Sequence, residues 1–162
     1  IDIILIQCYS GWRASELIKL ELSKVSLEEQ TFRGGSKTNA GKDRIVPIHH
    51  LIYPLVEKHY REAERLKSPR LFSIQTFVEG DFSFIYYELY ARQFKVVINR
   101  LALDARHHTH DCRKTFVTMA KRANVDEYAI KRIIGHQIAD LTERVYTDRS
   151  IEWLRSEIEK IH

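Results

Sequence analysis

Apolar and polar positions follow two different periods along this chain, and the change of period predicts a strand-bearing early part followed by helices. Ile1 to Tyr9 (IDIILIQCY) is nearly continuous in apolar letters and reads as the later part of a buried helix. Ser10-Gly11-Trp12 is a turn, after which Arg13 to Leu20 spaces Ala14, Leu17 and Ile18 along one face of a short helix with Arg13 at its start. Val25 to Phe32 is rich in β-branched and apolar letters, Gly34-Gly35 marks a turn, and Arg44 to Ile48 (RIVPI) is strand-like, with Pro47 demanding an edge position. A small antiparallel sheet is expected there, with Lys37 to Lys42 (KTNAGK) as its exposed turn.

Beyond the sheet the spacing becomes helical. His49 to Leu66 is one predicted helix and Phe84 to Leu103 another, the latter gathering Tyr90, Phe94, Val97, Ile98 and Leu101 on one side. Thr109 or Asp111 can cap a helix running to about Arg122, and Asp126 a short one ending near Gly135. In the last segment Ile151, Leu154, Ile158 and Ile161 form a narrow stripe that fits core packing in cis or docking on a neighbouring subunit equally well. With no repeat, no Gly/Ser linker and three scattered prolines, residues 1–162 are expected to form a single α+β unit, mainly helical, with its small sheet near the N-terminus.

Composition narrows the class. A chain of 162 residues with 44% apolar and 30% charged letters can bury one core, which excludes a disordered chain or a fibre. No apolar run reaches the roughly 20 residues of a membrane helix and no leader opens the chain, so the expectation is a cytoplasmic domain without a membrane partner. Cys8 and Cys112 lie far apart in apolar or helical contexts and are expected to be reduced and mostly buried. Because Ile1 falls inside a helical pattern, the chain is expected to be an excised domain whose upstream parts are absent.

Charge changes the picture through its distribution. The net charge is only +4, yet Arg92 to Arg132 holds ten Lys or Arg against four acids, while Asp140 to Glu159 holds six acids against three arginines. A local surplus of this kind suits a phosphate backbone, where affinity comes from neutralising phosphates and releasing counterions; a solvated helix face is the plainer reading.

Three segments carry candidate chemistry: Gly11 to Leu17 (GWRASEL), His110-Asp111-Cys112-Arg113, and Gly135-His136 followed ten residues after the histidine by Tyr146. Singly each is weak, since an arginine can pair with a nearby Glu16, two side chains at i and i+3 share a face of any helix, and a tyrosine is usually core. Together they supply the parts of a phosphoryl transfer. Two planar guanidinium forks can clamp the non-bridging oxygens of a phosphodiester, and histidines can donate to the same oxygens or move protons near neutral pH. A deprotonated tyrosine is a competent oxygen nucleophile, and Lys37 on a hairpin turn is placed to be a flexible acid for the leaving oxygen. The positive cluster would do electrostatic work that metal ions do in other phosphoryl-transfer enzymes.

These residues, in this order and context, resemble the catalytic domain of the tyrosine recombinases, the phage-integrase family, from about Gly11 to Thr147. That family has a first arginine in a turn followed by x-S-E-L, a lysine on a β-hairpin, an H-x-x-R helix, a G-H helix end and a tyrosine about one helical segment later. Here these are Arg13, Lys37, His110 with Arg113, His136 and Tyr146. The resemblance implies the tyrosine recombinase catalytic-domain fold and a site-specific recombinase that cleaves and rejoins DNA through a 3′-phosphotyrosine, with no metal, cofactor or ATP. It implies Tyr146 as the nucleophile, Arg13 and Arg113 on the phosphate, Lys37 protonating the 5′-oxygen, His110 and His136 assisting, and Glu16 holding Arg13 in place. Double-stranded DNA, a homotetramer on synapsed DNA and accessory DNA-bending proteins are the implied partners, with an upstream DNA-gripping domain supplied by the rest of the protein.

Alternatives remain at this level. A type IB topoisomerase-like enzyme would use the same chemistry without synapsis, and a non-catalytic DNA-binding module would use Thr109 to Arg122 as a recognition helix. Lys42 shares the hairpin with Lys37, although Lys37 stands in the S-K-T context frequent in the family. Lys114 follows Arg113 where histidine or arginine is usual, and the proline that many members carry before the H-x-x-R histidine is missing. Of His107, His108 and His110, only His110 has an arginine three residues on. A metal site built from these histidines and Cys112 is disfavoured by spacing, because adjacent side chains point apart and no second ligand pair exists.

Overall fold

A computed structural model describes residues 1–35, 41–138 and 150–162. Helix α1 (Asp2–Ser10) ends at Gly11, whose left-handed φ of 66° lets its N–H reach the Gln7 carbonyl. A Cβ there would lie 2.7 Å from a Phe116 ring carbon, so both the backbone conformation and the close approach of that ring require glycine. Arg13 adopts an extended conformation and is the N-cap of the short helix α2 (Ala14–Leu17).

After a 3-10 turn at Leu22–Lys24 come β1 (Val25–Ser26), β2 (Thr31–Gly34) and β3 (Arg44–Pro47). They form an antiparallel sheet in the order β1-β2-β3, with Phe32 opposite Val46 and Thr31 opposite Pro47. β3 is an edge strand of this sheet, as Pro47 requires. Along β3, Val46 is buried while Ile45 is exposed, the alternation of a half-covered sheet.

The helical remainder departs from expectation in three places. The helix expected from His49 begins instead as α3 (Tyr53–Arg65), because Pro54 sits in its first turn, where a missing N–H costs nothing. The stretch before the next helix holds a second small sheet, β4 (Ser73–Gln75) paired antiparallel with β5 (Phe82–Phe84). Consequently α4 spans Tyr87–Arg100; Tyr90, Phe94 and Ile98 are buried as expected, but Leu101 lies past the helix end and is exposed. The residue just before α5 (Asp111–Arg122) is His110, not a capping Thr109 or Asp111. Asp111 accepts the His108 backbone N–H in the preceding turn, and the Thr109 hydroxyl bonds the Tyr87 hydroxyl.

Asp126 caps α6 (Glu127–Ile134) through bonds from the Tyr128 and Ala129 N–H groups, and Gly135 closes it in the left-handed conformation. Ser150 caps α7 (Ile151–Ile158). Leu154, Ile158 and Ile161 are buried in the same apolar cluster as Trp12, Phe32, Val46, Phe116 and Ile133, so in this structure the C-terminal stripe packs in cis. Glu157 reinforces that seat by accepting the Asp126 N–H at 2.8 Å. Both cysteines are free; Cys112 is buried, and Cys8 packs against its cluster with Phe94 and Ile98. No helix among the described residues is long and apolar enough to cross a membrane.

Candidate active site

The site is assembled where the ends of α1 and α6 meet the start of α5. The Arg113 guanidinium is almost fully buried and donates to the Gly11 carbonyl at 2.8 Å and to the Ile134 carbonyl. Those carbonyls lie two residues before Arg13 and two before His136, so one side chain registers three separate segments. Gln7, with no exposed surface, does the same from beneath. Its amide N–H groups donate to the carbonyls of Trp12 at 3.1 Å and Thr109 at 3.0 Å, immediately before Arg13 and His110. The Tyr90 hydroxyl donates to its amide oxygen at 2.6 Å, which fixes the orientation of the amide.

Arg13 pairs with Glu16 at 3.3 Å, and the second oxygen of the same carboxylate takes Arg44 at 3.1 Å. Arg44 is buried; it also donates to the carbonyls of Ile133 at 2.9 Å and Gly41 at 3.1 Å, and its guanidinium lies 3.9 Å from the Trp12 ring centroid. At Gly135 an added Cβ would meet the Gly41 Cα at 2.6 Å, so the end of α6 and the base of the hairpin between β2 and β3 touch through backbone.

Electrostatics report the convergence. Burial, then the charges of Arg13 and Arg44, lowers the Arg113 pKa to about 10, with Glu16 opposing; the group stays cationic at neutral pH. His136 is held below the ordinary histidine value by partial shielding from solvent and then by Arg113 and Arg13. His110, open to solvent at the start of α5, is lowered by partial shielding and then by Arg113 and Lys114. Both imidazoles are therefore poised neutral, able to accept a proton as well as donate a hydrogen bond.

The structure thus brings Arg13, His110, Arg113 and His136 together. Lys37 and Tyr146 lie outside the described residues, as does the choice between Lys37 and a partner on the same turn. Sequence reasoning missed Arg44 and Gln7. A charged letter in an apolar strand and an amide in an apolar helix were the available signals, since buried polar groups need partners. Part of the basic surplus is matched locally: Arg106 pairs with Asp104, Lys114 with Asp111 and Lys131 with Glu127.

Among the described residues, a cluster with metal-ligand chemistry lies elsewhere, at His49, His50 and Glu159, whose donor atoms fall within 4.8 Å of one another. The buried His49 is committed: its Nδ1 accepts the Leu51 N–H at 3.1 Å, which leaves Nε2 to donate to the Ile161 carbonyl at 2.9 Å. Binding a metal at Nε2 would require an imidazolate or loss of that bond, so the cluster serves as a clasp for the C-terminal segment.

The model of the phage integrase family matches residues 2–152. The tyrosine recombinase XerC of Shewanella oneidensis is 27% identical over 153 residues, covering 94% of this chain and 48% of that protein. The integrase of mycobacterium phage Brujita superposes with a TM-score of 0.74 at 19% identity, over 99% of this chain and 50% of that one. XerA recombinase gives 0.67 at 24% identity, over 95% and 55%. XerH recombinase, solved bound to its difH substrate, gives 0.64 at 24% identity, over 96% and 44%. The chain spans about half the length of these relatives and shares their fold over that half. A family match over nearly the whole chain shows that this chain belongs to the phage integrase family.

Proposed function

We propose that the protein containing this domain is a site-specific DNA recombinase or integrase that cleaves and rejoins strands through a 3′-phosphotyrosine. The observation that carries this reading is the convergence of Arg13, His110 with Arg113, and His136 from three separate segments, locked by Arg113 and Gln7 bonds to the backbone beside them. Two guanidiniums flanked by neutral imidazoles suit a phosphodiester whose charge grows in the transition state. In the reaction the Tyr146 oxygen attacks phosphorus, its proton passing to a neutral histidine. The bond to the 5′-oxygen breaks, and Lys37 protonates the departing oxygen to leave a free 5′-hydroxyl. Attack of a partner strand's 5′-hydroxyl on the phosphotyrosine reverses these steps and restores the tyrosine, so neither ATP nor a metal is needed.

Duplex DNA is the proposed substrate, with a homotetramer on two synapsed sites as the working species, accessory DNA-bending proteins as assistants and the cytoplasm as the compartment. The test uses the full-length protein and its Tyr146→Phe variant, incubated in EDTA with nicked DNA carrying the ends of its own genomic element. A covalent adduct on a denaturing gel that forms in EDTA and is lost in the variant is expected. Binding without an adduct on any end would overturn the reading in favour of a DNA-binding relative without strand-transfer activity.

A further inference from the structure

We propose that Arg44 is a positioning residue for strand cleavage: it shares the Glu16 carboxylate with Arg13, and so keeps Arg13 available to the scissile phosphate while tying α6 and the β2–β3 hairpin to the same point. The proposal rests on the reading of this site as a phosphate-handling centre.

The geometry is specific. The two oxygens of Glu16 are divided, Oε1 to Arg13 and Oε2 to Arg44, and all three side chains are at least five-sixths buried, with Arg13 at 15%, Glu16 at 6% and Arg44 at 5% exposure. Every nitrogen of the Arg44 guanidinium is engaged: Nε with Ile133, one terminal nitrogen with Gly41 and the other with Glu16. Ile133 lies at the end of α6 that leads to His136, and Gly41 in the connection that joins β2 to β3. The fork therefore joins three pieces of the site, a task that a single-point ammonium cannot perform.

Charge explains why the link matters for chemistry beyond stability. Arg13, Arg44 and Arg113 repel one another, and Glu16 is the counter-charge at their centre. While Arg44 holds one carboxylate oxygen, Glu16 restrains Arg13 through the other and leaves part of its fork for a ligand. Without Arg44, the buried carboxylate would lose one of its cations and hold Arg13 more tightly, because an uncompensated charge in this setting is costly.

The test measures single-turnover adduct formation on nicked DNA at saturating full-length protein, together with DNA affinity and the folded fraction. Arg44→Met is expected to slow cleavage at least about tenfold with affinity changed less than about threefold, and adding Glu16→Gln is expected to restore part of the rate by releasing Arg13. Arg44→Lys, which keeps the charge, is expected to fold and to be slowed to a smaller extent. An Arg44→Lys rate equal to wild type, an absence of rescue by Glu16→Gln, or a loss accounted for wholly by affinity or unfolding would overturn the positioning role. Failure of the wild-type protein itself to form an adduct would instead overturn the recombinase reading.

Discussion

The Arg113 guanidinium donates to the carbonyl of Gly11 at 2.8 Å, across 102 residues of sequence. The same side chain proposed to hold the DNA phosphate is thus a tie between the end of α1 and, through Ile134, the end of α6. A cation placed there is opposed by burial and by two neighbouring arginines. A phosphate bound as proposed would relieve that repulsion and so stabilise the domain.

Arg113→Lys separates the two roles. The lysine keeps a charge but loses the fork, and the Gly11 and Ile134 carbonyls cannot both be satisfied. A loss of about 2–3 kcal/mol in stability by urea unfolding is expected. Adduct formation by the folded fraction is expected to fall on the order of a hundredfold. A variant with full stability but no adduct would show that the backbone ties are dispensable.

Gly135→Ala tests the contact between α6 and the hairpin. The residue has φ 66°, and its new Cβ would sit 2.6 Å from the Gly41 Cα, backbone that cannot swing aside. Strain and clash together are expected to cost about 2 kcal/mol or more and to displace His136. Calorimetry should show a lowered Tm, and the rate per folded molecule should drop; a neutral substitution would contradict the backbone approach.

Gln7→Leu removes a buried amide that satisfies three groups. It strands the carbonyls of Trp12 and Thr109 and leaves the hydroxyl of Tyr90 with the Cys112 thiol in place of the amide oxygen. About 3 kcal/mol of destabilisation is expected, whereas Tyr90→Phe, which leaves both backbone carbonyls satisfied and frees the amide oxygen and the Cys112 thiol, is expected to cost about 1 kcal/mol. Chemical denaturation of both variants checks the ratio.

His49 makes stability depend on pH. Burial holds its pKa below the ordinary histidine value, with Glu159 opposing, and its bonds to Leu51 and Ile161 require the neutral ring. The unfolded chain therefore binds the proton first, and stability falls as the pH drops through and below about 6.5. His59, lowered by burial against the pull of Asp2, adds a loss of the same sign. The depressed pKa of Asp111 contributes only at much lower pH, as its carboxylate protonates. Urea midpoints at pH 7.5 and 5.5 should differ less in His49→Gln than in the wild type; an equal difference would remove His49 from the account.

Much of this molecule is decided by local physics that a sequence displays. The 3.6-residue period of α4 and α5, the Asp126 cap, the glycines that end α1 and α6, and the proline that puts β3 on an edge all act through neighbours a few residues away. The motif arginines and histidines were legible because their spacing is tied to those helix ends. The β4–β5 hairpin was not, since the apolar run from Phe82 to Tyr87 satisfies a strand and a helix start equally and only pairing with Ser73–Gln75 selects between them. The isoleucine stripe of α7 was ambiguous for a related reason: periodicity names a buried face but not the surface that buries it. For Arg44 and Gln7 the sequence signals a buried polar group, but the partners belong to the tertiary structure. Their roles reside in carbonyls up to 102 residues away, and a hydrogen bond of that reach exists only once the core has brought the two backbones together.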